Sequence, residues 1–465
     1  MRIALVKVPA TYSNWYKQPA LGLAYICACI EAKGYKCEIF DAYFHSWSEA
    51  ELFRQVQSFK PDVVAFTAMT HEIGRAAGIA SGIKASLKIP VIVGGCHVTA
   101  LPEQTLAEFD VFDYGIFGEG EETIAELLDC IRFGNTTAPL NEIDGLVFRK
   151  NGKIIRNRPR SFISAAKLNS LPYPAFEHYY GNGKNALVGK HSYYVMFSSR
   201  GCPYNCAFCM QVLGHKVRRR SCESVINEMK HAIERYGAHT FNFADEIFLF
   251  DNNQTRELLE LFIREDFPKQ LKWSALTRAN FVSRELISLA KKAGCFRLEM
   301  GVESGDDRIL KAIGKGITVA QVNNAVKIIK DSGISLGTYY ILGHPGENRT
   351  TLRKTVDLAV KLNTDSIAVG LMVPYPGTKI YEMACRGDKG YRLLSKSWAE
   401  YDKYGGKVLE IDGLPYDELV RWQQRTYLRL YLINMRLKDF FGFFWKRRKG
   451  IGFLFRKKFL SRLRK

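Results

Sequence analysis

Two long stretches of this sequence alternate short β-branched segments with amphipathic segments, and this alternation restricts the fold more than any other feature. When a helix joins two strands, it returns the chain so that the next strand runs parallel to the last. We therefore predict an α/β protein whose N-terminal domain, residues 1–140, contains an open parallel sheet. Its predicted strands are 2–8, 36–40, 62–67, 90–94 and 113–117, with helices at 19–33, 47–58, 71–87 and 120–132.

The second alternating stretch, residues 191–390, contains six strand-and-helix units in succession. Six such units favour a partial (β/α)6 barrel over a second flat sheet, although spacing alone leaves both open. In either fold the functional groups gather at the carboxyl ends of the strands. The predicted strands are 193–199, 240–244, 272–276, 297–300, 336–342 and 366–372, with helices at 222–236, 253–264, 282–293, 306–312, 319–332 and 350–362.

The remaining segments have simpler patterns. Residues 141–190 are predicted to form a hairpin with its turn at Asn151 and Gly152, followed by a proline-containing linker. Residues 391–435 have apolar residues at helical spacing, which predicts a helical C-terminal region. The last segment, 436–465, is a basic and aromatic tail.

The formal net charge of +20 suggests an anionic partner, but the charge is unevenly distributed. The tail contains 12 basic residues and one acidic residue, and so carries +11 of the +20. Such a cluster fits a membrane surface as well as a phosphate backbone, and docking of the tail on the barrel is the alternative. No apolar run approaches the roughly 20 residues of a membrane span, and Lys7 interrupts the first one. We expect a cytoplasmic protein, with the tail attaching it peripherally to the inner membrane surface.

The cysteines fall into two groups. Cys202, Cys206 and Cys209 lie within eight residues, and thiolates at this spacing can converge on one metal centre. Structural zinc requires a fourth ligand, for which His191 and His215 are the candidates, whereas an iron–sulfur cluster can be held by three thiolates. The other eight are predicted to be small buried thiols: Cys27, Cys29, Cys37, Cys96, Cys130, Cys222, Cys295 and Cys385.

The C-x3-C-x2-C spacing directly after the first barrel strand resembles the signature of the radical S-adenosylmethionine (radical SAM) enzymes. The resemblance covers about residues 1–400. It implies that Cys202, Cys206 and Cys209 hold a [4Fe-4S] cluster whose open iron binds S-adenosylmethionine. It also implies a 5′-deoxyadenosyl radical that takes a hydrogen atom from substrate, and an electron donor such as flavodoxin or ferredoxin.

The same resemblance assigns residues to the S-adenosylmethionine site, each at the end of a predicted strand. Asp245 and Glu246 are expected to pair with the methionyl ammonium, and Arg278 with the methionyl carboxylate. Glu303 or Ser304 is expected at the ribose hydroxyls. Gly343 begins a turn that resembles the cofactor-flanking turns of the family.

The first domain resembles the Rossmann-like cobalamin-binding domain of the class B, or B12-dependent, subgroup. The matching stretches are 19–25, 94–103 and 117–121. The D-x-H-x-x-G motif, whose histidine ligates cobalt in many B12 proteins, is absent, so the lower face of the cobalt is expected to be open or capped by water. We expect His97 to be solvated or hydrogen-bonded near the cofactor. The candidate cobalamin contacts are Thr67, Met69, Gly94, Gly95, His97, Gly118 and Glu119.

These resemblances favour a B12-dependent methyltransferase that acts on an unactivated carbon of a small or lipid-like molecule. Cyclisation or rearrangement without methyl transfer is an alternative that the sequence does not separate. A nucleic-acid-binding protein is a third hypothesis, supported by charge alone. Nucleic acid is disfavoured as a partner because neither the extra cluster cysteines nor the C-terminal RNA-binding barrel of the tRNA methylthiotransferases is visible.

Overall fold

The computed structural model describes residues 1–9, 17–134, 139–181, 183, 187, 193–403 and 405–442. Two features of the sequence analysis fall outside the described residues: His191, and the tail from residue 443 onward. Within the described part, two parallel sheets follow one another along the chain, as the alternating pattern predicts.

The first sheet has seven strands in the order β2-β1-β3-β4-β5-β6-β7. The first five are parallel, and the order reverses at β1, as in a doubly wound fold. The predicted hairpin is present as β6 and β7, but it also extends this sheet by pairing antiparallel with β5. The strands are β1 (Arg2–Lys7), β2 (Lys36–Asp41), β3 (Val63–Thr67), β4 (Val91–Gly94), β5 (Tyr114–Ile116), β6 (Leu146–Lys150) and β7 (Lys153–Arg156).

Helices cover both faces of the first sheet and lead to the second. Ser48 shows why they begin where they do, because its hydroxyl accepts a hydrogen bond from the Glu51 N–H that the helix leaves unpaired. The sequence did not predict the two short helices that follow β4, because each has fewer than eight residues. The helices are α1 (Leu21–Ala32), α2 (Ala42–His45), α3 (Glu49–Phe59), α4 (Ile73–Leu87), α5 (Cys96–Ala100), α6 (Pro102–Glu108), α7 (Glu121–Phe133), α8 (Ala165–Ser170) and α9 (Glu177–Tyr180).

The second sheet contains six parallel strands in chain order, β8-β11-β12-β13-β14-β15, without a reversal. This sequential winding is that of a barrel and not of a second doubly wound sheet. A short antiparallel pair, β9 with β10, follows the first strand. The strands are β8 (Tyr194–Met196), β9 (Ser199–Arg200), β10 (Arg218–Arg219), β11 (Thr240–Phe243), β12 (Lys272–Thr277), β13 (Cys295–Glu303), β14 (Ser335–Leu342) and β15 (Ser366–Leu371).

The crossover helices of the second sheet lie where the amphipathic pattern predicts them. Thr318 and Gln321 form a capping box, in which each side chain accepts a backbone N–H of the other, at the start of α15. The helices are α10 (Cys222–Tyr236), α11 (Asn253–Arg264), α12 (Phe267–Gln270), α13 (Arg284–Lys292), α14 (Asp307–Ala312), α15 (Val319–Asp331), α16 (Arg349–Leu362) and α17 (Lys379–Arg386).

The C-terminal region ends in the expected helix, α18 (Tyr416–Ile433), but a two-stranded sheet precedes it. These strands, β16 (Tyr391–Leu393) and β17 (Leu409–Ile411), are three residues each, which is too short for a recognisable period. Helix α18 covers the edge strand β15: the Val369 N–H donates to Tyr427 Oη at 2.9 Å, and the Val369 carbonyl accepts from Gln423 Nε2 at 2.7 Å. On this edge strand, the backbone N–H and carbonyl of Val369 are thus hydrogen-bonded without a further strand. Among the described helices, none is both long and apolar enough to cross a membrane.

Candidate active site

The three clustered cysteines lie on a loop that is fastened at its base. Strands β9 and β10 pair across the base, and the Cys202 N–H donates to the Gly214 carbonyl at 3.0 Å. Gly201 has φ +99°, and a Cβ there would lie 2.4 Å from the Lys216 carbonyl oxygen. Only glycine fits this turn, because a side chain would collide with backbone. The loop therefore leaves β9 in one defined direction.

The donor set of this loop fits an iron–sulfur cluster better than a single zinc ion. Tetrahedral zinc would bring its sulfur ligands within about 4 Å of one another, given Zn–S bonds of about 2.3 Å. The three Sγ atoms are not among the described groups whose ligand atoms all lie within 4.8 Å of each other. A cluster binds each thiolate to a different iron and spaces them more widely. Of the two histidines considered as a fourth zinc ligand, His215 lies among the described residues. It is exposed and belongs to no described group of ligand atoms within 4.8 Å of one another.

Burial and the neighbouring thiols favour the protonated form of Cys202 and Cys209 in the metal-free protein. Burial, followed by the charges of Cys206 and Cys202, raises the pKa of Cys209 to about 11. Burial also raises the pKa of Cys202. A cationic iron centre reverses this preference, because it stabilises thiolates directly. Five of the remaining eight cysteines are buried as predicted, whereas Cys29 and Cys96 are half-buried and Cys385 is exposed, which corrects the prediction for these three.

Two carboxylates follow β11, and the structure separates their environments. Asp245 is fully buried, and its oxygens accept hydrogen bonds from the Ser198 N–H (3.0 Å), the Ser198 hydroxyl (2.7 Å) and the Ser199 hydroxyl (2.6 Å). It therefore anchors the chain just before the cysteine loop. Glu246 is half-buried and accepts from the Gly201 N–H at 3.2 Å. Of the two, Glu246 has the freer carboxylate for an ammonium ligand.

Arg278 presents a buried donor with no partner among the described residues. Its guanidinium lies 3.5 Å from the centre of the Tyr204 ring, and its Nε donates to Asn280 Oδ1 at 2.8 Å. Its Nη2 is buried and unpaired. A buried guanidinium nitrogen is costly without an acceptor. The unpaired nitrogen thus fits the carboxylate of an amino-acid ligand beside the cysteine loop.

The residues predicted at the ribose, and Gly343 beside them, already form contacts within the protein. Glu303 has φ +69° and its carboxylate forms a buried ion pair with Lys315, at 2.7 Å. Ser304 is buried, and its hydroxyl is 3.3 Å from the Thr355 hydroxyl and accepts from the Asp306 N–H. The Gly343 N–H donates to Glu347 at 2.6 Å.

Lys315 was not singled out by the sequence analysis, although it lies between two glycines, Gly314 and Gly316, that both adopt positive φ. Its ammonium is 5.9 Å from the centre of the Phe208 ring, on the cysteine loop, and its charge lowers the pKa of Cys209 against the larger effect of burial. The Gly-Lys-Gly pattern is the signal that could have identified it.

The candidate cobalamin contacts lie at the carboxyl edge of the first sheet, where Thr67 pairs in register with Gly94. Met69 is half-exposed, and Gly118 has φ +82° with open space where a side chain would be. Both leave room for a large ligand. Gly95 is different, because a Cβ there would lie 2.7 Å from the Ala68 carbonyl oxygen. The absence of a side chain at Gly95 is therefore explained by packing within the protein.

His97 corrects one expectation of the sequence analysis. We expected a solvated or hydrogen-bonded ring, but the ring is fully buried and neither nitrogen has a partner among the described residues. It packs edge-on against Trp398 of the C-terminal region, with ring centres 5.0 Å apart. Burial lowers the pKa of His97 to about 4, so the ring is neutral at pH 7.

A buried ion-pair network joins the two halves of the protein at this point. Glu119, in the loop after β5, accepts from Arg200 at 2.9 Å and from Arg218 at 2.7 Å. Glu121 also accepts from Arg200, at 2.7 Å. Since Arg200 is two residues before Cys202, the network holds the carboxyl edge of the first sheet against the cysteine loop. Sequence analysis placed Glu119 at a cofactor and missed both arginines, whose partners are about 80 and 100 residues away.

A second contact supports the same arrangement. A Cβ added at Gly377, in the turn after β15, would lie 3.3 Å from the Ala100 Cβ of helix α5 and 3.9 Å from the Met210 Cε beside the cysteine loop. Elements from the first sheet, the last barrel strand and the cysteine loop therefore meet. The carboxyl edges of the two sheets face a common region.

The sequence is similar to known proteins over both halves. The profile of the radical SAM superfamily matches residues 196–359, and that of the B12 binding domain matches residues 15–128. An uncharacterised methyltransferase of Pyrococcus horikoshii is 30% identical over 443 residues, which cover 92% of each chain. The anaerobic magnesium-protoporphyrin IX monomethyl ester cyclase of Cereibacter sphaeroides is 25% identical over 449 residues, covering 94% of this chain and 69% of the relative.

The fold is also similar to a solved structure. The radical S-adenosylmethionine methyltransferase TsrM from Kitasatospora setae, solved with cobalamin and a [4Fe-4S] cluster, matches with a TM-score of 0.71 over 92% of this chain and 88% of that one. The sequence identity is 19%, so the likeness is one of fold. The predicted fold class, with its Rossmann-like first domain, partial barrel and helical C-terminal region, is confirmed.

Proposed function

This chain belongs to the radical S-adenosylmethionine superfamily and carries a B12 binding domain, and on that premise we propose that it is a cobalamin-dependent methyltransferase. Its cofactors are a [4Fe-4S] cluster, S-adenosylmethionine and cobalamin. When bound, the cluster supplies the electron that cleaves S-adenosylmethionine, and cobalamin carries the methyl group. The proposal concerns the reaction that this chain performs with them.

The observation that carries the proposal is the buried network of Glu119 with Arg200 and Arg218. It joins the loop after β5 to the cysteine loop through contacts of 2.7 to 2.9 Å. Methyl transfer requires a substrate carbon between the radical source and the methyl donor. A buried ion-pair network between the two cofactor-binding edges supports that requirement, because it holds the two edges next to each other.

The residues of the barrel have separate roles in this proposal. The three cysteines hold the cluster, and Glu246 and Arg278 hold the ammonium and carboxylate of the methionyl group. Asp245 positions the start of the cysteine loop through Ser198 and Ser199. The pairing of a carboxylate and a guanidinium with an amino-acid ligand supports these assignments, because both contacts are charge-assisted.

The test is anaerobic turnover with S-adenosylmethionine that carries an isotopically labelled methyl group, followed by mass spectrometry of candidate small-molecule substrates. Methyl transfer predicts a product that gains one labelled CH2, formed together with 5′-deoxyadenosine. A Cys202→Ala protein serves as the control, because it should form neither. A product without the label would contradict methyl transfer while leaving the radical chemistry in place.

Cyclisation is a second candidate, favoured by the similarity to the magnesium-protoporphyrin IX monomethyl ester cyclase over 94% of this chain. It would use the same cofactors. The labelling experiment separates the two, because ring closure changes the product mass without adding CH2.

We further propose that the substrate is a small molecule, that an external one-electron donor such as flavodoxin or ferredoxin reduces the cluster, and that the C-terminal segment attaches the protein to an anionic membrane surface. Exposed apolar side chains at the end of α18 and at the start of the basic tail support the last proposal. These are Leu432, Ile433, Met435, Leu437 and Phe441. Apolar rings beside cations are typical of interfacial segments. A lipid-like substrate would be consistent with such a location.

A further inference from the structure

A second group of metal-binding side chains lies away from the cysteine loop. Cys27 and Glu31 are one turn apart on α1, and His178 is on the short helix α9. Their ligand atoms all lie within 4.8 Å of one another. Cys27 is fully buried, whereas the His178 side chain is 11% exposed and the Glu31 side chain 36% exposed. The thiol and the imidazole are thus enclosed, and the carboxylate lies at the surface side of the group.

A second thiol, that of Cys37 on β2, lies beside Cys27, although its Sγ is not among the ligand atoms that all lie within 4.8 Å of one another. It is buried, and the hydrogen bond between the Cys27 and Cys37 thiols is the largest contribution to the raised pKa of Cys27, followed by burial. The hydrogen bond of Cys27 with His178 acts in the opposite direction. The Cys37 thiol therefore adjoins this group from a third element, β2, without being part of it.

The two ring nitrogens of His178 have different neighbours. Nε2 is 3.1 Å from Glu31 Oε1, and Nδ1 is 3.1 Å from Glu38 Oε1. In metal sites a histidine commonly binds the ion through one nitrogen and donates its other N–H to a carboxylate, which fixes the ring. Glu38 occupies the position of that carboxylate, and Glu31 lies on the side of the other donors.

We propose that Cys27, His178 and Glu31 bind one zinc ion, with the Cys37 side chain moving toward it as the fourth ligand. Two sulfur atoms, one nitrogen and one carboxylate oxygen match the four-coordinate preference of zinc, and the burial of both thiols matches a structural site. Binding releases the two thiol protons to solvent, because zinc is held by thiolates. This site is independent of the proposed methyl transfer, since no residue of it belongs to the cofactor edges.

The site would fasten the linker before the barrel to the first domain. The linker already contacts this domain nearby: the Ala175 N–H donates to the Ala24 carbonyl at 3.1 Å, and the Tyr179 hydroxyl donates to Asp41 at 3.2 Å. A zinc ion would add bonds between α1, β2 and α9. Its expected effect is stability of the junction between the halves, with no part in the chemistry.

The experiment measures zinc and iron by mass spectrometry in full-length protein that carries Ala at Cys202, Cys206 and Cys209, so that the cluster loop cannot take up metal. We expect about one zinc per chain, lost in Cys27→Ser and in Cys37→Ser. The matched control is Cys29→Ser, on the same helix, which should keep its zinc. Equal zinc content in all four proteins, or none in the parent after dialysis against zinc, would overturn the proposal.

A spectroscopic measurement covers the case in which the serine variants fail to fold. Cobalt(II) added to the zinc-depleted parent should give the thiolate charge-transfer absorption and the intense visible bands of tetrahedral coordination. Cobalt spectra without a thiolate band would overturn the proposal. So would a Cys27–Cys37 disulfide, detected by alkylation of the denatured protein without reductant.

Discussion

Arg200 Nη1 lies 2.9 Å from Glu119 Oε1, and this buried ion pair connects the B12 binding domain to the start of the cysteine loop. Both side chains are at least 95% removed from solvent, and Arg218 shares the same carboxylate. Salt screens such a pair weakly. The carboxyl edge of the first sheet and the cysteine loop are therefore joined by electrostatic contacts as well as by packing.

Glu119→Gln should destabilise the protein by about 3 kcal/mol, because it leaves the buried Arg218 without its counter-charge and the buried Arg200 with Glu121 alone. Chemical denaturation measures the change in the free energy of unfolding. The control is Glu122→Gln, which removes a partly exposed pair with Arg160 and should cost less than about 1 kcal/mol. Equal losses in the two variants would show that the network contributes little.

Replacing Cys202, Cys206 or Cys209 singly with Ala should abolish cleavage of S-adenosylmethionine, because two thiolates do not retain the cluster securely. Iron content should fall from about four per chain, and the brown absorbance should disappear. The exposed Cys385 provides the control, since its replacement should change neither. Full iron content in any of the three variants would exclude that residue as a ligand.

Arg278→Gln should weaken the binding of S-adenosylmethionine by about 10- to 100-fold, which corresponds to loss of one charge-assisted hydrogen bond of about 1.5–3 kcal/mol. Calorimetric titration of the reconstituted protein measures the dissociation constant. Arg284→Gln, at an exposed position on α13, is the matched control. Unchanged affinity in Arg278→Gln would mean that its unpaired Nη2 faces another ligand.

His97 should make the protein less stable in mild acid. Burial lowers its pKa from 6.5 to about 4, so below pH 6.5 the unfolded chain binds a proton that the folded chain does not. The free energy of unfolding therefore falls as the pH decreases from about 6.5 to 4, by at most about 3 kcal/mol, and this effect is absent above pH 7.

His97→Phe tests this dependence, because it keeps the aromatic contact with Trp398 and removes the titration. The plot of unfolding free energy against pH should become flatter between pH 6.5 and 4. The cobalamin absorbance should stay the same, since the buried ring is not expected to ligate cobalt. A spectrum that changes as if an axial ligand were lost would contradict that expectation.

Removal of residues 443–465, which contain ten basic and no acidic residues, should release the protein from anionic vesicles. Each cation near such a surface contributes about 1 kcal/mol, so full-length protein should sediment at low salt and be partly released at high salt. Truncation after Gly442 keeps the bonds of Arg436 to the Thr364 and Asp365 carbonyls. Equal sedimentation of the two forms, or of neither, would refute membrane attachment.

The sequence alone determined the main strands and helices and identified three cysteines as the candidate cluster ligands. Every predicted strand of the two parallel sheets is present. The spacing of apolar residues within each segment is a local property, and burial of those residues directly stabilises the element that the spacing predicts. The three cysteines could be found for the same reason, since all of their spacing lies within eight residues. The short strands β16 and β17 were missed because three residues carry no period.

Tertiary structure decided which residues meet across long separations. Glu119 lies with Arg200 and Arg218, and Cys27 lies with His178, because the linker folds back on the first domain. Burial determined the roles of two further residues. Asp245 is buried and accepts hydrogen bonds from Ser198, and His97 is buried without a hydrogen-bond partner among the described residues. Such roles depend on neighbours supplied by distant segments, and the local pattern of a sequence does not encode them.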